Sequence, residues 1–143
     1  MMTRKQFLKS ASIALAGVAP LSGVLSGCAP AAFSIHAQVL GNIVRVPLAG
    51  LPDLHRPDAY VKVYVERITN PFIVFASYGH EIVAVLSTCS HNGCEVRKLR
   101  TKFECPCHGS EYDLSGNVTR GPAPEPLQRF SVREVGDNLE FSL

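Results

Sequence analysis

The sequence of 143 residues lacks several patterns, and each absence excludes a class of protein. After residue 30, no segment keeps apolar residues at the spacing of an amphipathic helix, which argues against a helical bundle. There is no internal repeat, so a solenoid or propeller is excluded as well. Only 18% of the residues are charged, and there is neither a low-complexity tract nor a long run of one charge. The chain is therefore expected to form one globular domain.

Positive charge is also scarce once the N-terminus is set aside. Residues 1–27 contain Arg4, Lys5 and Lys9 and no acidic residue. The remaining residues carry eleven basic and twelve acidic side chains, so the formal charge of +2 comes from the first segment. A nearly neutral domain offers no basic surface for nucleic acid, and no nucleic-acid partner is expected. No nucleophile with a neighbouring base is evident, so hydrolysis is not indicated.

The first 27 residues have the pattern of an export signal rather than of folded structure. A basic start, with Lys5 where a twin-arginine signal has its second arginine, precedes an apolar run over residues 11–25. Small residues before Cys28 are typical of a lipoprotein cleavage site, and residues 28–35 would supply lipid attachment and a linker. An uncleaved anchor helix is the alternative. Either interpretation predicts an exported protein held at a bacterial membrane, facing the periplasm or outer face.

Residues 36–143 are predicted to form the domain, and their pattern is that of short β-strands. Hairpin turns are expected at residues 78–81 and 136–138. The fold class is therefore predicted as all-β, a small antiparallel domain of sandwich or barrel type, with a cysteine-rich insertion at about 87–126. The predicted strands are Ile43–Val46, Tyr60–Val65, Phe72–Phe75, Ile82–Leu86, Phe130–Val135 and Leu139–Leu143.

Two segments of the insertion, Cys89–Cys94 and Cys105–Ser110, each contain one histidine and two cysteines. Three kinds of site would use such residues. A tetrahedral zinc site needs four ligands and leaves two cysteines without a role. Disulfides alone account for the cysteines but not for the histidines. An iron–sulfur cluster with two cysteines on one iron and two histidines on the other uses both residue types.

The segments Cys-Ser-His-Asn-Gly-Cys and Cys-Pro-Cys-His-Gly-Ser resemble the two binding boxes of the Rieske [2Fe–2S] proteins. The resemblance extends from about residue 43 to 143. It implies that Cys89 and Cys105 bind one iron while His91 and His108 bind the other. It also implies a disulfide between the remaining cysteines, which are Cys94 and Cys107.

The resemblance assigns further roles around the cluster. Ser110 should donate a hydrogen bond to a bridging sulfide, and Tyr112 should donate one to the sulfur of Cys89. Such bonds stabilise the more negative reduced cluster and raise its reduction potential. The segment Gly121–Pro124 matches the proline loop that covers the cluster in this family.

The export signal, the extra cysteine pair, Ser110 and Tyr112 together resemble the high-potential members, the iron–sulfur subunits of cytochrome bc-type and b6f-type complexes. This implies single-electron transfer within a quinol–cytochrome c oxidoreductase. His108, and to a lesser degree His91, would contact quinol and accept its proton. The cluster would pass the electron to a c-type cytochrome, and cytochrome b would receive the second electron of the quinol.

Asn92 is a departure from that pattern, because quinol-oxidising members usually carry leucine there. It favours an alternative, a small electron-transfer subunit of another periplasmic oxidoreductase that resembles arsenite oxidase. A third hypothesis is a structural lipoprotein with a zinc or disulfide knot, which would be colourless. The other candidate side chains are expected to be solvated without a chemical role: His36, His55, His80, Glu104 and Glu111.

Overall fold

The computed structural model describes residues 33–56, 58–77 and 79–143. The predicted export signal, Cys28 and the first part of the linker lie outside the described residues. Within the described ranges the chain forms only strands, and none of its segments is a helix long and apolar enough to cross a membrane. The strands are β1 (Phe33–His36), β2 (Gln38–Leu40), β3 (Ile43–Pro47), β4 (Val61–Tyr64), β5 (Phe72–Ala76), β6 (Ile82–Leu86), β7 (Arg97–Lys98), β8 (Phe103–Glu104), β9 (Glu111–Tyr112), β10 (Val118–Arg120), β11 (Arg129–Ser131), β12 (Arg133–Val135) and β13 (Asn138–Ser142).

The central sheet has the strand order β1-β4-β5-β6-β11. Strands β4, β5, β6 and β11 are antiparallel neighbours, as predicted, whereas β1 pairs in parallel with β4. Residues 33–35, which the sequence pattern assigns to the linker, therefore belong to β1. They are held there by pairing with β4 and by the side chain of Ile35, which packs against the core.

Strand β5 is buried on both faces, which explains its uninterrupted apolar sequence. Phe72 and Val74 point into one hydrophobic cluster, whereas Ile73 and Phe75 point into the other. The central sheet is therefore covered on both sides. The sequence signal for this burial is that apolar residues in β5 do not alternate with polar ones.

A second sheet, with the order β12-β13-β3-β2, covers one face of the central sheet. The predicted strand Phe130–Val135 is in fact divided between the two sheets. Phe130 pairs with Ala84 of β6 in the central sheet, whereas Glu134 pairs with Leu139 of β13 in the second sheet. The chain changes sheets at Val132, which packs against the shared core.

A third sheet, β10-β9-β8-β7, covers the opposite face of the central sheet. Its four short strands lie within the predicted insertion, between β6 and β11. Val96, Phe103 and Tyr112 are fully buried against the central sheet. The all-β prediction is confirmed, and this third layer places the cysteine-rich loops at one end of the domain.

Candidate metal centre

The first cysteine-rich loop connects β6 to β7. The backbone N–H of Cys89 donates to the carbonyl of Cys94 at 2.9 Å, and the N–H of Gly93 donates to the carbonyl of Cys89 at 2.8 Å. Gly93 has φ +74°, and a β-carbon added there would meet nothing within 4 Å. Glycine is therefore required by the left-handed backbone of the turn and not by lack of space.

The second loop, between β8 and β9, repeats this backbone pattern. The N–H of Cys105 donates to the carbonyl of Ser110 at 2.8 Å, and the N–H of Gly109 donates to the carbonyl of Cys105 at 3.0 Å. Gly109 has φ +73°, which matches the turn of the first loop. The two boxes thus have equivalent turns, each with a cysteine at its base and a histidine at its tip.

A disulfide joins the two loops, as the resemblance implied. It links Cys94 to Cys107, whose Cα atoms are 6.6 Å apart. The Sγ atom of Cys105 lies within 4.8 Å of both disulfide sulfurs. Sulfur atoms that are bonded to each other are not thiolates, so these three cysteines do not form a metal site.

Four potential ligands remain, and they form two pairs. Cys89 and Cys105 are free cysteines and are buried. His91 and His108 are exposed, and their Nδ1 atoms face each other at 3.2 Å. A buried pair of sulfurs beside an exposed pair of imidazole nitrogens is the donor set that a cluster with two cysteine and two histidine ligands requires.

The environment of Cys89 stabilises its thiolate form. Burial by itself would raise the pKa of this thiol, but hydrogen bonds from Tyr112, the N–H of His91, Cys105 and Ser110 together lower the pKa below its usual value. The thiolate is the form of cysteine that binds metals. The loop is therefore arranged to carry negative charge at this sulfur.

Cys105 lies next to Cys89, and the pKa of its thiol shifts in the opposite direction. Burial raises the pKa of the Cys105 thiol, and the neighbouring Cys89 raises it further, against the N–H groups of Cys107 and His108 that donate to its sulfur. Two adjacent sulfurs in a buried site do not ionise independently, because each negative charge disfavours the other. A bound cation would relieve this conflict, and the N–H donors of the loop are already in place.

Tyr112 connects the third sheet to the ligand loops. Its hydroxyl donates to Sγ of Cys89 at 3.2 Å and accepts from the N–H of Ser90 at 3.3 Å. Burial, followed by the interaction with Cys89, raises the pKa of Tyr112, so the hydroxyl keeps its proton and remains a donor. The predicted contact of Tyr112 is thus present.

Ser110 is fully buried, and its hydroxyl oxygen accepts a hydrogen bond from the N–H of Ala123 at 3.0 Å. Because the oxygen is the acceptor in that contact, its own proton is left to donate toward the sulfurs. Ala123 belongs to the segment Gly121–Pro124, and its contact with Ser110 brings this segment against the second loop. The segment therefore has the position expected of a proline loop.

The structure also shows two positioning residues that the sequence pattern did not identify. The hydroxyl of Ser90 donates to the carbonyl of Glu125 at 2.7 Å and so joins the first loop to the segment after the prolines. The side-chain amide of Asn70 donates to the carbonyl of Gly93 at 2.8 Å. The position of Ser90 within the first box could have indicated its role. Asn70 lies 23 residues from Gly93, and no motif in the sequence points to their contact.

The acidic pair beside the second box is ion-paired rather than freely solvated. Nζ of Lys102 lies 2.7 Å from Glu111 and 3.8 Å from Glu104. The hydrogen bond from Lys102 is the main cause that lowers the pKa of the Glu111 carboxyl. Arg97 and Arg120 also contact the pair, each from one side. Three basic side chains therefore compensate the charges of these two carboxylates.

Comparison with known proteins identifies the family. Residues 46–131 match the model of the Rieske [2Fe-2S] domain. The chain is 32% identical over 88 residues to the cytochrome b6-f complex iron-sulfur subunit of Chlorobaculum thiosulfatiphilum, covering 60% of this chain and 48% of that protein. It is 45% identical over 69 residues to the same subunit of Synechococcus sp. (strain JA-3-3Ab), covering 47% and 37%. The chain thus spans about half, or less, of the length of these relatives.

Among solved structures, the quaternary ammonium Rieske monooxygenase CntA, in complex with L-carnitine, matches with a TM-score of 0.52. The match covers 62% of this chain and 29% of that one at 17% identity, so it supports the fold alone. The chain belongs to the Rieske [2Fe-2S] domain family. Its cofactor is a Rieske-type [2Fe–2S] cluster, for which the donor set of the two loops is suitable.

Tyr112→Phe is expected to lower the reduction potential while the cluster is retained. Loss of roughly 1 kcal/mol of stabilisation in the reduced state corresponds to about 40 mV for a one-electron couple. A redox titration followed by visible absorption measures the change. Tyr64→Phe, a tyrosine on β4 that stacks on His36, is the matched control and should leave the potential unchanged. Equal potentials in Tyr112→Phe and wild type would contradict the role of the hydrogen bond to Cys89.

Proposed function

We propose that the chain transfers single electrons through its cluster as the iron–sulfur subunit of a quinol:cytochrome c oxidoreductase of the bc type. Cys89 and Cys105 are proposed as the ligands of the inner iron, and His91 and His108 as those of the outer iron. When bound, the cluster accepts and releases one electron at a time and makes its histidine ligands more acidic in the oxidised state.

The observation that carries this proposal is the division of the four ligands between interior and surface. The two cysteines are almost fully buried, whereas both histidines are exposed and their Nδ1 atoms face each other at 3.2 Å. In an imidazole ring, Nε2 lies on the side away from the Nδ1 contact. In this proposal, His91 and His108 would hold the iron through Nδ1 and present Nε2 to a docked partner.

The Nε2 atoms of these exposed histidines would serve as proton acceptors once the oxidised form has lost the proton that each neutral ring carries there. In this proposal Nε2 of His108 accepts a hydrogen bond from a quinol hydroxyl and takes its proton as the electron leaves the quinol. His91 is exposed as well, and in this proposal it contributes less to the contact with quinol. Behind them, the proline segment held by Ser110 limits the access of water to the sulfurs.

The proposed partners are cytochrome b and a c-type cytochrome, with quinol as the electron donor. The matched relatives are named as subunits of the cytochrome b6-f complex, which supports the two cytochromes as partners. Membrane attachment is proposed through lipid on Cys28 or an N-terminal anchor, on the exported side of a bacterial membrane. The domain would thus stay close to a membrane-bound quinol.

A second candidate function rests on Asn92, which is exposed next to His91. A polar residue at this place weakens an apolar contact with quinol. It suits a small electron-transfer subunit of another periplasmic oxidoreductase, similar to that of arsenite oxidase. The substitution Asn92→Leu separates the two candidates, since it should speed quinol oxidation only if quinol docks at this tip.

The proposed function is tested on the full-length purified protein by visible and EPR spectroscopy with a redox titration between pH 6 and pH 10. A high potential is expected that falls by about 59 mV per pH unit once the oxidised form loses a histidine proton. The sign follows because the reduced form then binds more protons, so rising pH favours the oxidised form. Reduction of the oxidised protein by a soluble quinol analogue should be rapid at high pH.

Three results would count against this proposal in different ways. A colourless protein that contains zinc would end the cluster assignment. A potential near that of the all-cysteine ferredoxins, about −400 mV, would exclude quinol as donor. A high, pH-dependent potential without quinol oxidation, unaffected by Asn92→Leu, would favour the second candidate.

A further inference from the structure

A cavity lined by both charged and apolar side chains lies at the end of the central sheet opposite the metal centre. The ligand loops follow the end of β6 and lie near the start of β5, where Ser87 donates to the carbonyl of Pro71 at 2.6 Å. The cavity instead adjoins the other end of β5, at Ala76 and Ser77, and has a volume of about 300 Å³. This volume is enough for a small ligand or the headgroup of a larger one.

The charges that line the cavity are mainly positive. Lys98, Arg100 and Arg56 line it, and Asp58 is the single carboxylate among the described lining residues. Asp58 lies 3.8 Å from Nε of Arg100, so it offsets one of the three cations. The hydroxyls of Ser77 and Thr101 provide neutral hydrogen-bond groups. Such a set favours an anion with several oxygen acceptors.

Lys98 lines the cavity without an ion pair among the described residues. Its side chain is half-buried, with Nζ 5.1 Å from the centroid of the Phe75 ring and 5.6 Å from that of Tyr60. In the described part of the chain, no carboxylate lies within 4 Å of this nitrogen. The aromatic rings hold the ammonium group in place but compensate its charge only in part.

Two further acidic residues are near the cavity in sequence but do not line it. Asp53 accepts a hydrogen bond from the backbone N–H of His55 at 3.0 Å. Glu81 lies 3.5 Å from Arg129 on β11. His55 and His80 line the cavity with ring centroids 6.3 Å apart and add no negative charge. Among the described lining residues, cationic side chains therefore outnumber carboxylates.

The chain enters the domain at this same end. Because β1 runs parallel to β4, Phe33 pairs with Val61, the first residue of β4, directly after the loop that carries Asp58. The ligand loops lie at the opposite end of the sheet, beside the end of β4 and the start of β5. An N-terminal membrane attachment would thus place the cavity on the membrane side of the domain.

We propose that this cavity binds a phosphate group, presented by the headgroup of an anionic lipid in the membrane to which the chain is attached. The lipid source rests on the proposed membrane attachment, whereas recognition of phosphate by Lys98 and Arg100 does not. Binding there restrains the orientation of the domain relative to the membrane surface, and the domain has to leave this position before its metal centre can meet a membrane-bound quinol.

The first experiment measures phosphate binding to the full-length protein, with its cluster, in dodecyl maltoside by calorimetry with inorganic phosphate and glycerol 3-phosphate. Arg100→Gln should weaken binding at least about fivefold, since a charge-assisted contact is lost. Asp58→Asn should strengthen binding by a similar factor, because it removes the one lining carboxylate. Asparagine suits the positive φ of 68° at that position. Arg133→Gln, on the exposed edge strand β12, is the matched control and should have no effect.

The second experiment separates the two sources of phosphate. The full-length protein is placed in nanodiscs of phosphatidylcholine, with or without phosphatidylglycerol, and titrated with inorganic phosphate. Weaker phosphate binding in the anionic discs supports occupancy by a headgroup. Equal binding in both would overturn the lipid source, and absence of phosphate binding in detergent would overturn the site. The spectrum of the cluster, recorded on the same samples, tests the proposed electron transfer separately.

Discussion

His108→Cys is expected to lower the reduction potential by on the order of several hundred millivolts, or to prevent cluster assembly. The substitution replaces a neutral imidazole with an anionic thiolate, which disfavours the additional negative charge of the reduced cluster. The cysteine side chain is also shorter than that of histidine, and His108 lies at the exposed tip of its loop. A redox titration of the purified variant, with iron and sulfide analysis, measures both outcomes.

His36→Cys is a suitable control for this experiment. His36 is an exposed histidine on β1 that stacks on Tyr64, and it is not one of the proposed ligands. Its replacement should leave the iron content and the potential as in the wild type. If His108→Cys also retained both, the assignment of His108 as a ligand would be wrong.

The double variant Cys94→Ser/Cys107→Ser is expected to lower the free energy of unfolding by about 3 kcal/mol, the value for a closed loop of roughly this length. The disulfide spans 13 positions and joins the two ligand loops directly. Without it, the loops lose their direct covalent link and depend on hydrogen bonds, core packing and the proline segment. The cluster should therefore bleach at a lower temperature than in the wild type.

Thermal bleaching of the visible spectrum, followed beside the circular dichroism of the β-sheets, measures this loss. Cys28→Ser removes a different cysteine and should leave the bleaching temperature unchanged. Treatment of the wild type with a strong reductant should reproduce the effect of the double variant. Identical bleaching temperatures of the double variant and the wild type would show that the noncovalent contacts suffice to hold the loops.

Much of the metal centre was predictable because its signals are local. The proposed ligands, the turn glycines and the paired cysteines fall within two segments of six residues, and each segment closes its own backbone hydrogen bonds. Strands with alternating or fully apolar patterns were likewise found by periodicity, as for β5 and β6. The contact of Tyr112 with Cys89 came from family resemblance, and the structure contains it at 3.2 Å.

Other features depend on contacts between distant parts of the chain. The predicted strand over residues 130–135 keeps one extended pattern, but its two halves pair with different sheets because each finds a different partner strand. Residues 33–35 look like linker, yet they pair in parallel with β4. Asn70 is a polar residue without any motif, and only folding brings it to the carbonyl of Gly93.

The sequence alone thus determined the Rieske-type cofactor and the candidate ligands, since residue type and spacing are properties of short segments. Tertiary structure decided which charges remain without partners. Glu104 and Glu111 are expected from the sequence to be solvated, and the structure pairs both of them with Lys102. Lys98 is one more surface lysine in the sequence, whereas the fold places it between two aromatic rings beside a cavity. Electrostatic interactions depend on distance in space, and the order of residues along the chain does not specify it.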